Sequence, residues 1–161
     1  MALLTAHFSE EELRGVGAPV SVRSNLATLA RDLLEPLRAV LGVPITVTSG
    51  YRDPTRNAAV GGSDTSQHMD GTAADISPNG LSLAEVARRV DAAEKSGRMP
   101  PYGQLIYYPY TTGHVHISLP TRGKRGEKLV KLGGESGGYA TYNVATFRGQ
   151  QHSGDSGACC G

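Results

Sequence analysis

At 161 residues the chain has room for one domain with a substantial core. Its 16 Lys and Arg against 15 Asp and Glu leave a net charge of +1, which gives no basic face for nucleic acid or an acidic membrane. With 21 glycines, nine prolines and no tryptophan, the composition points to a loop-rich α+β domain rather than a helical bundle. The two cysteines, Cys159 and Cys160, are adjacent at the C-terminal end and cannot staple a core. The first residues carry neither a basic region nor a long apolar run, so neither a signal peptide nor a transmembrane span is expected.

In chain order, Ser9 and Glu12 have capping-box spacing and predict a short helix stopped by Gly15 and Gly17. Leu26, Leu29, Ala30, Leu33, Leu34, Leu37, Val40 and Leu41 recur at helical spacing, predicting a helix over 25–41 that Pro36 kinks or divides and Gly42 ends. The β-branched run 45–48 reads as a strand. Residues 51–65 read as a loop with a helical turn near 55–60, and 72–76 as a second strand carrying Asp75. Pro78-Asn79-Gly80 is a turn. Ser82 and Glu85 then open an amphipathic helix through Leu83, Val86, Ala87, Val90 and Ala93 that ends at Gly97. Segments 104–108 and 115–119 are strands joined at hairpin distance, and edge strands are expected around 128–131 and 139–144. Residues 1–148 form the predicted domain, and 149–161 a flexible Gly/Ser-rich tail.

The chemistry concentrates in Ser66-Gln67-His68-Met69-Asp70-Gly71-Thr72-Ala73-Ala74-Asp75. His68 and Asp75 are good ligands for a divalent metal, and His114-Val115-His116 offers two more imidazoles. Two residues apart on a strand, His114 and His116 project from the same face, so one can bind metal while the other stands beside it. Two histidines and one carboxylate suit zinc best, though iron(II) also uses such a set. His7 and His152 are read as ordinary residues, and Asp64 and Asp70 have no position assignable from sequence.

The pattern Ser66-x-His68-x-x-Gly71-x-Ala73-x-Asp75 is preceded by Thr48-Ser49-Gly50-Tyr51-Arg52 and followed by His114-Val115-His116. In these motifs the chain resembles the zinc D-Ala-D-Ala carboxypeptidase family, which includes phage L-alanyl-D-glutamate endolysins, and most of all its phage branch. The similarity runs from about His7 through Leu119. It implies an α+β, hedgehog/DD-peptidase-like fold, with a small antiparallel sheet and helices on one side. It implies Zn2+ held by His68, Asp75 and His116, with Arg52 gripping substrate and Ser66 beside it. A planar guanidinium is a suitable fork for a carboxylate or oxyanion. The implied activity is a metallopeptidase cutting peptidoglycan stem peptides, as a D,D-carboxypeptidase or an L-alanyl-D-glutamate-type endopeptidase. A monomer made in the cytoplasm and acting at the bacterial cell wall, as a phage lysin or virion component, is expected. One position departs from the family pattern. Much of the family has an acidic residue three positions before the third ligand, where this chain has Gly113. His114 is the obvious substitute, as a neutral general base or as an imidazolium steadying the oxyanion, and could equally be a prop beside the ligands. The alternative is a non-catalytic, zinc-containing wall-binding or virion module on the same fold.

Overall fold

The computed structural model describes residues 2–109, 113–133, 137–144 and 147. The predicted tail, with Cys159, Cys160 and His152, lies outside the described residues, as do positions 110–112 of the 109–113 connection.

The leucine-rich helix begins earlier than its periodicity suggests. Helix α1 spans Val20–Leu29, entered from Pro19 in an extended conformation with no side-chain cap. The missing polar cap is why the sequence gives no start signal there. Pro36 divides the helix through a π turn. Residues Ala30–Leu34 form that turn, and the Glu35 N–H reaches back to the Ala30 carbonyl. The wider turn accommodates a proline that has no N–H to donate, and α2 continues over Glu35–Leu41. Gly42 ends it in the left-handed conformation at φ 69. Leu26, Leu29, Leu33, Leu34, Leu37 and Leu41 are all buried. Burying a leucine stabilises by roughly 1.5–3 kcal/mol, so this stripe is a main source of core stability.

The first capping box forms, but the helix it announces does not. Ser9 N–H donates to Glu12 Oε2 at 2.8 Å and Glu12 N–H to Ser9 Oγ at 3.1 Å. Residues 10–14 nevertheless make turns, with Arg14 at φ 59. The carbonyl of Leu13 receives the Tyr51 N–H, which ties this corner to the chain just after the first strand.

The sheet has strands β1 (Ile45–Ser49), β2 (Ala73–Pro78), β3 (Gln104–Tyr107), β4 (Val115–Ser118), β5 (Glu127–Lys131) and β6 (Tyr139–Thr141). Their spatial order is β1-β2-β4-β3-β5-β6. Pairing is antiparallel except between β3 and β5, which run parallel. A short helix α3 (Pro54–Ala59), capped by Asp53, follows β1, and α4 (Leu83–Lys95) follows β2. The expected α+β class holds.

Strand alternation assigns the two faces. Ala74, Ile76, Leu105, Tyr107, Val115, Ile117 and Val130 join the helices in the core. The residues between them, Asp75, Gln104, Ile106, His116 and Leu129, line a cleft on the opposite face. Helix α4 is fastened to α2 by Arg89, whose Nη1 donates to the Leu41 carbonyl. Strands β5 and β6 are fastened to α4. Lys128 Nζ lies 2.8 Å from both Asp91 Oδ1 and Glu94 Oε2, and Tyr142 donates to Asp91 Oδ2 at 2.7 Å. Tyr107 packs its ring against Tyr142 and Phe147. Among the described residues no helix is long and apolar enough to cross a membrane.

The second capping box is half used. Ser82 Oγ accepts from Glu85 N–H at 3.2 Å, while the Glu85 carboxylate turns to Arg88 and Arg89. Hydrogen bonds from Arg88 and then Arg89 lower the Glu85 pKa to about 2. A carboxylate depressed in the folded state adds stability above its unfolded pKa and loses it as pH falls through the folded value. Glu85→Gln is therefore expected to melt earlier than wild type at pH 7, with the gap closing as pH falls from about 4.5 to about 2. A gap unchanged across that window would refute the pairing.

Candidate metal centre and cleft

The segment from His68 to Asp75 is built to bring its two ends together. Gln67–Met69 forms one 3-10 turn, with Ser66 Oγ accepting the His68 N–H at 3.3 Å. Arg52 N–H donates to the His68 carbonyl at 3.0 Å, and Asn25 Nδ2 to the Asp70 carbonyl at 2.8 Å. Gly71 then reverses the chain at φ 73, where an added Cβ would meet the Val22 carbonyl oxygen at 2.8 Å. Only glycine takes this conformation freely and leaves room for α1. Strand β2 starts two residues later and presents Asp75 to the cleft. Register pairs Asp75 with His116 of β4 directly across the ladder.

Three donor atoms converge there. Asp75 Oδ1 is 3.0 Å from His116 Nδ1 and 3.3 Å from His68 Nε2. The three ligand atoms lie within 4.8 Å of one another, and among the described residues this is the group able to hold a metal ion. His114 lies outside it, so the geometry separates the two histidines of His114-Val115-His116. The rings of His68 and His116 meet edge to face with centroids 5.2 Å apart. On its far side, His68 Nδ1 lies 2.8 Å from the Gly50 carbonyl oxygen. A carbonyl only accepts, so Nδ1 carries the hydrogen and a neutral ring turns the lone pair of Nε2 toward Asp75. At 3.3 Å, Nε2 and the carboxylate oxygen need a proton or a metal ion between them. Two imidazoles and one carboxylate are a donor set zinc takes at open, catalytic sites.

The electrostatics agree with that fit. Burial alone would raise the Asp75 pKa, but hydrogen bonds from His116 and His68 outweigh it and hold the carboxyl well below the usual range. Burial lowers the pKa of His116 against the opposing pull of Asp75, and burial likewise lowers that of His114. Both imidazoles are therefore neutral at pH 7, the form that can ligate or accept a proton.

The cleft is about 760 Å³. Arg52, Ser66 and His114, the candidate substrate and catalytic residues from the sequence, line it. Arg52 Nε is buried without a partner, while Nη2 lies 3.4 Å from Ser66 Oγ. The Ser66 hydroxyl is already committed to His68 N–H and Arg52, so it holds the metal turn as much as it faces the cleft. His114 stacks on Tyr108 with centroids 4.2 Å apart and planes 17° from parallel. Asp64 and Asp70 are exposed and outside the lining. His7 pairs with Glu35 at 2.8 Å, a structural role. Sequence reasoning missed Tyr108, Gln104, Lys124, Lys131 and Tyr139, which also line the cleft. Alternation counted outward from His116 through β3 would have found Gln104, Ile106 and Tyr108.

A His–Asp–His group with one side facing a cleft defines a mononuclear metal site of the hydrolase type. A model of the peptidase M15 family matches residues 6–118, and the chain belongs to that family. It is 36% identical over 86 residues to the Zinc D-Ala-D-Ala carboxypeptidase of Streptomyces albus G. That stretch covers 53% of this chain and 32% of the relative, so it spans about a third of the relative's length. Strands β5 and β6 lie beyond the family match, which ends at residue 118.

Gly71→Ala tests whether the tight turn sets the ligand spacing. It is expected to cost on the order of 2 kcal/mol in denaturant unfolding and to weaken zinc binding in a competition titration. Wild-type zinc affinity in the variant would show that the turn does not govern the site.

Proposed function

We propose that the chain is a zinc-dependent metallopeptidase acting on the stem peptides of bacterial peptidoglycan, as a D,D-carboxypeptidase or an L-alanyl-D-glutamate-type endopeptidase. The observation that carries this reading is the convergence of His68 Nε2, Asp75 Oδ1 and His116 Nδ1 at the floor of the cleft. Membership in the M15 family and the name of the Streptomyces relative support it. Likeness of the Ser66-to-Asp75 motif to the phage branch supports a phage or prophage source and action at the cell wall.

His68, Asp75 and His116 would hold the ion. When bound, zinc supplies a Lewis acid for the scissile carbonyl and brings the pKa of water toward ~7. Arg52 offers its unpartnered Nε–H and the rest of its fork to a substrate carboxylate or carbonyl oxygen. His114, neutral and facing the cleft, accepts the proton of the attacking water at a ring nitrogen and returns it to the leaving amine. Tyr108 stacks against His114 and fixes the plane of its ring. Burial and a hydrogen bond with Tyr139 push the Tyr108 phenol up, so it stays protonated.

One observation favours a second reading, a zinc-containing wall-binding module without catalysis. Gly113 stands where the family pattern has an acid, and among the described residues Asp75 is the only carboxylate lining the cleft. Hydrolysis of purified peptidoglycan and of a stem pentapeptide, followed by mass spectrometry, separates the two. Cleavage is expected, lost with chelator and restored by zinc, and the products identify the bond. His114→Ala is expected to keep its zinc and lose about 10²–10⁴-fold in kcat. Equal turnover with chelator would remove zinc catalysis, and wall binding with full zinc but no cleavage would establish the module.

A further inference from the structure

The cleft does not end at the metal group. Register carries two rows of side chains from it toward the far edge of the sheet. Asp75, His116, Ile106 and Leu129 form one row. His114, Tyr108, Lys131 and Tyr139 form the next, since Tyr107 pairs with both Val115 and Val130, and Lys131 pairs with Tyr139. The second row is linked side to side. His114 stacks on Tyr108, and Lys131 Nζ sits over the Tyr139 ring at 4.5 Å.

Lys131 is the charge in that row. It is half-buried, lines the cleft, and is steadied by the Gly137 carbonyl as well as the Tyr139 ring. Among the described residues no carboxylate lies within ion-pair distance of it. Lys128, three residues earlier and outside the cleft, behaves in the opposite way and is paired with both Asp91 and Glu94. Among the described residues, the lysine that anchors the wall is thus neutralised and the one that faces the cleft has no carboxylate beside it. Holding a half-buried ammonium without a counter-charge is unfavourable unless an anion arrives.

We infer that Lys131 forms an anion subsite for a second carboxylate of the substrate, on the side of the metal group away from Arg52. Arg52 follows β1 at one end of the sheet order, and Lys131 ends β5 toward the other, with the ligands on β2 and β4 between them. From β4 to β5 is two strand spacings, roughly 10 Å. An extended peptide covers that distance in about three residues. The substrate class is therefore an acidic peptide with a free carboxylate two to three residues from the scissile bond, rather than its carboxamide. That the occupant is a peptide rests on the peptidase reading above. Because β5 and β6 follow the family match, this preference belongs to the chain's own C-terminal segment.

The test uses two stem pentapeptides, identical except that the D-glutamyl α-carboxylate is free in one and amidated in the other. Binding is measured by calorimetry on the full chain without metal, and KM and kcat on the zinc-loaded protein. The free-acid peptide is expected to bind about tenfold more tightly, with the difference in KM rather than kcat. Lys131→Met is expected to bring the two peptides within about twofold of each other, and Lys131→Arg to restore the preference. Equal binding of both peptides by wild type, or a preference that survives Lys131→Met, overturns the subsite. Cleavage of both peptides with equal KM overturns it while leaving the peptidase reading intact. Selective binding without cleavage of either supports the subsite and overturns the peptidase reading instead.

Discussion

The site depends on one carboxylate shared by two imidazoles. Asp75 Oδ1 stands within 3.3 Å of both His68 and His116. His68 is held from behind by the Gly50 carbonyl, so its position is set by backbone at the end of β1. Gly50 cannot be replaced there without conflict, because a Cβ would lie 2.3 Å from the Leu13 carbonyl oxygen. The N-terminal corner, β1, the 3-10 turn and β2 are thus one mechanical unit. The buried leucine face of α1 and α2 underlies it, and Gly71 passes against Val22 of α1. Core packing and ligand geometry are consequently coupled.

The sheet turns this local arrangement into a cleft. Its core face is fixed by aliphatic side chains, and strand alternation then delivers the intervening residues to the other face. Asp75, His116, Ile106 and Leu129 fall in one row because four strands share a register. A slip of one residue in β4 would send His116 into the core and Ile117 into the cleft. The network of Lys128, Asp91, Glu94 and Tyr142 fastens the C-terminal strands to α4 and keeps the far wall in place.

Much of this was legible in the residues. His68 and Asp75 are seven apart with a glycine between them, so a single turn can join them. Apolar periodicity revealed α1, α2 and α4, and β-branched runs revealed β1. Choosing His116 over His114 needed the family resemblance, since periodicity puts both on one face. Other features carry no local signal. The Gly50 carbonyl is a backbone group, the start of α1 has no polar cap, and the parallel pairing of β5 with β3 arises from long-range contact. Lys131 looks like any strand lysine until the register sets it beside Tyr108. The first capping box made the opposite error: its hydrogen bonds formed, but the chain turned at Arg14 instead of continuing as helix.

The most direct test of the central claim is a crystal structure of the zinc-loaded protein, with the metal located by anomalous scattering at the zinc edge. The expected result is one ion bound by His68 Nε2, an Asp75 carboxylate oxygen and His116 Nδ1, at about 2.0–2.2 Å, with His114 outside the coordination sphere. A zinc ion ligated by His114 in place of His116, or bound away from Asp75, would contradict the account.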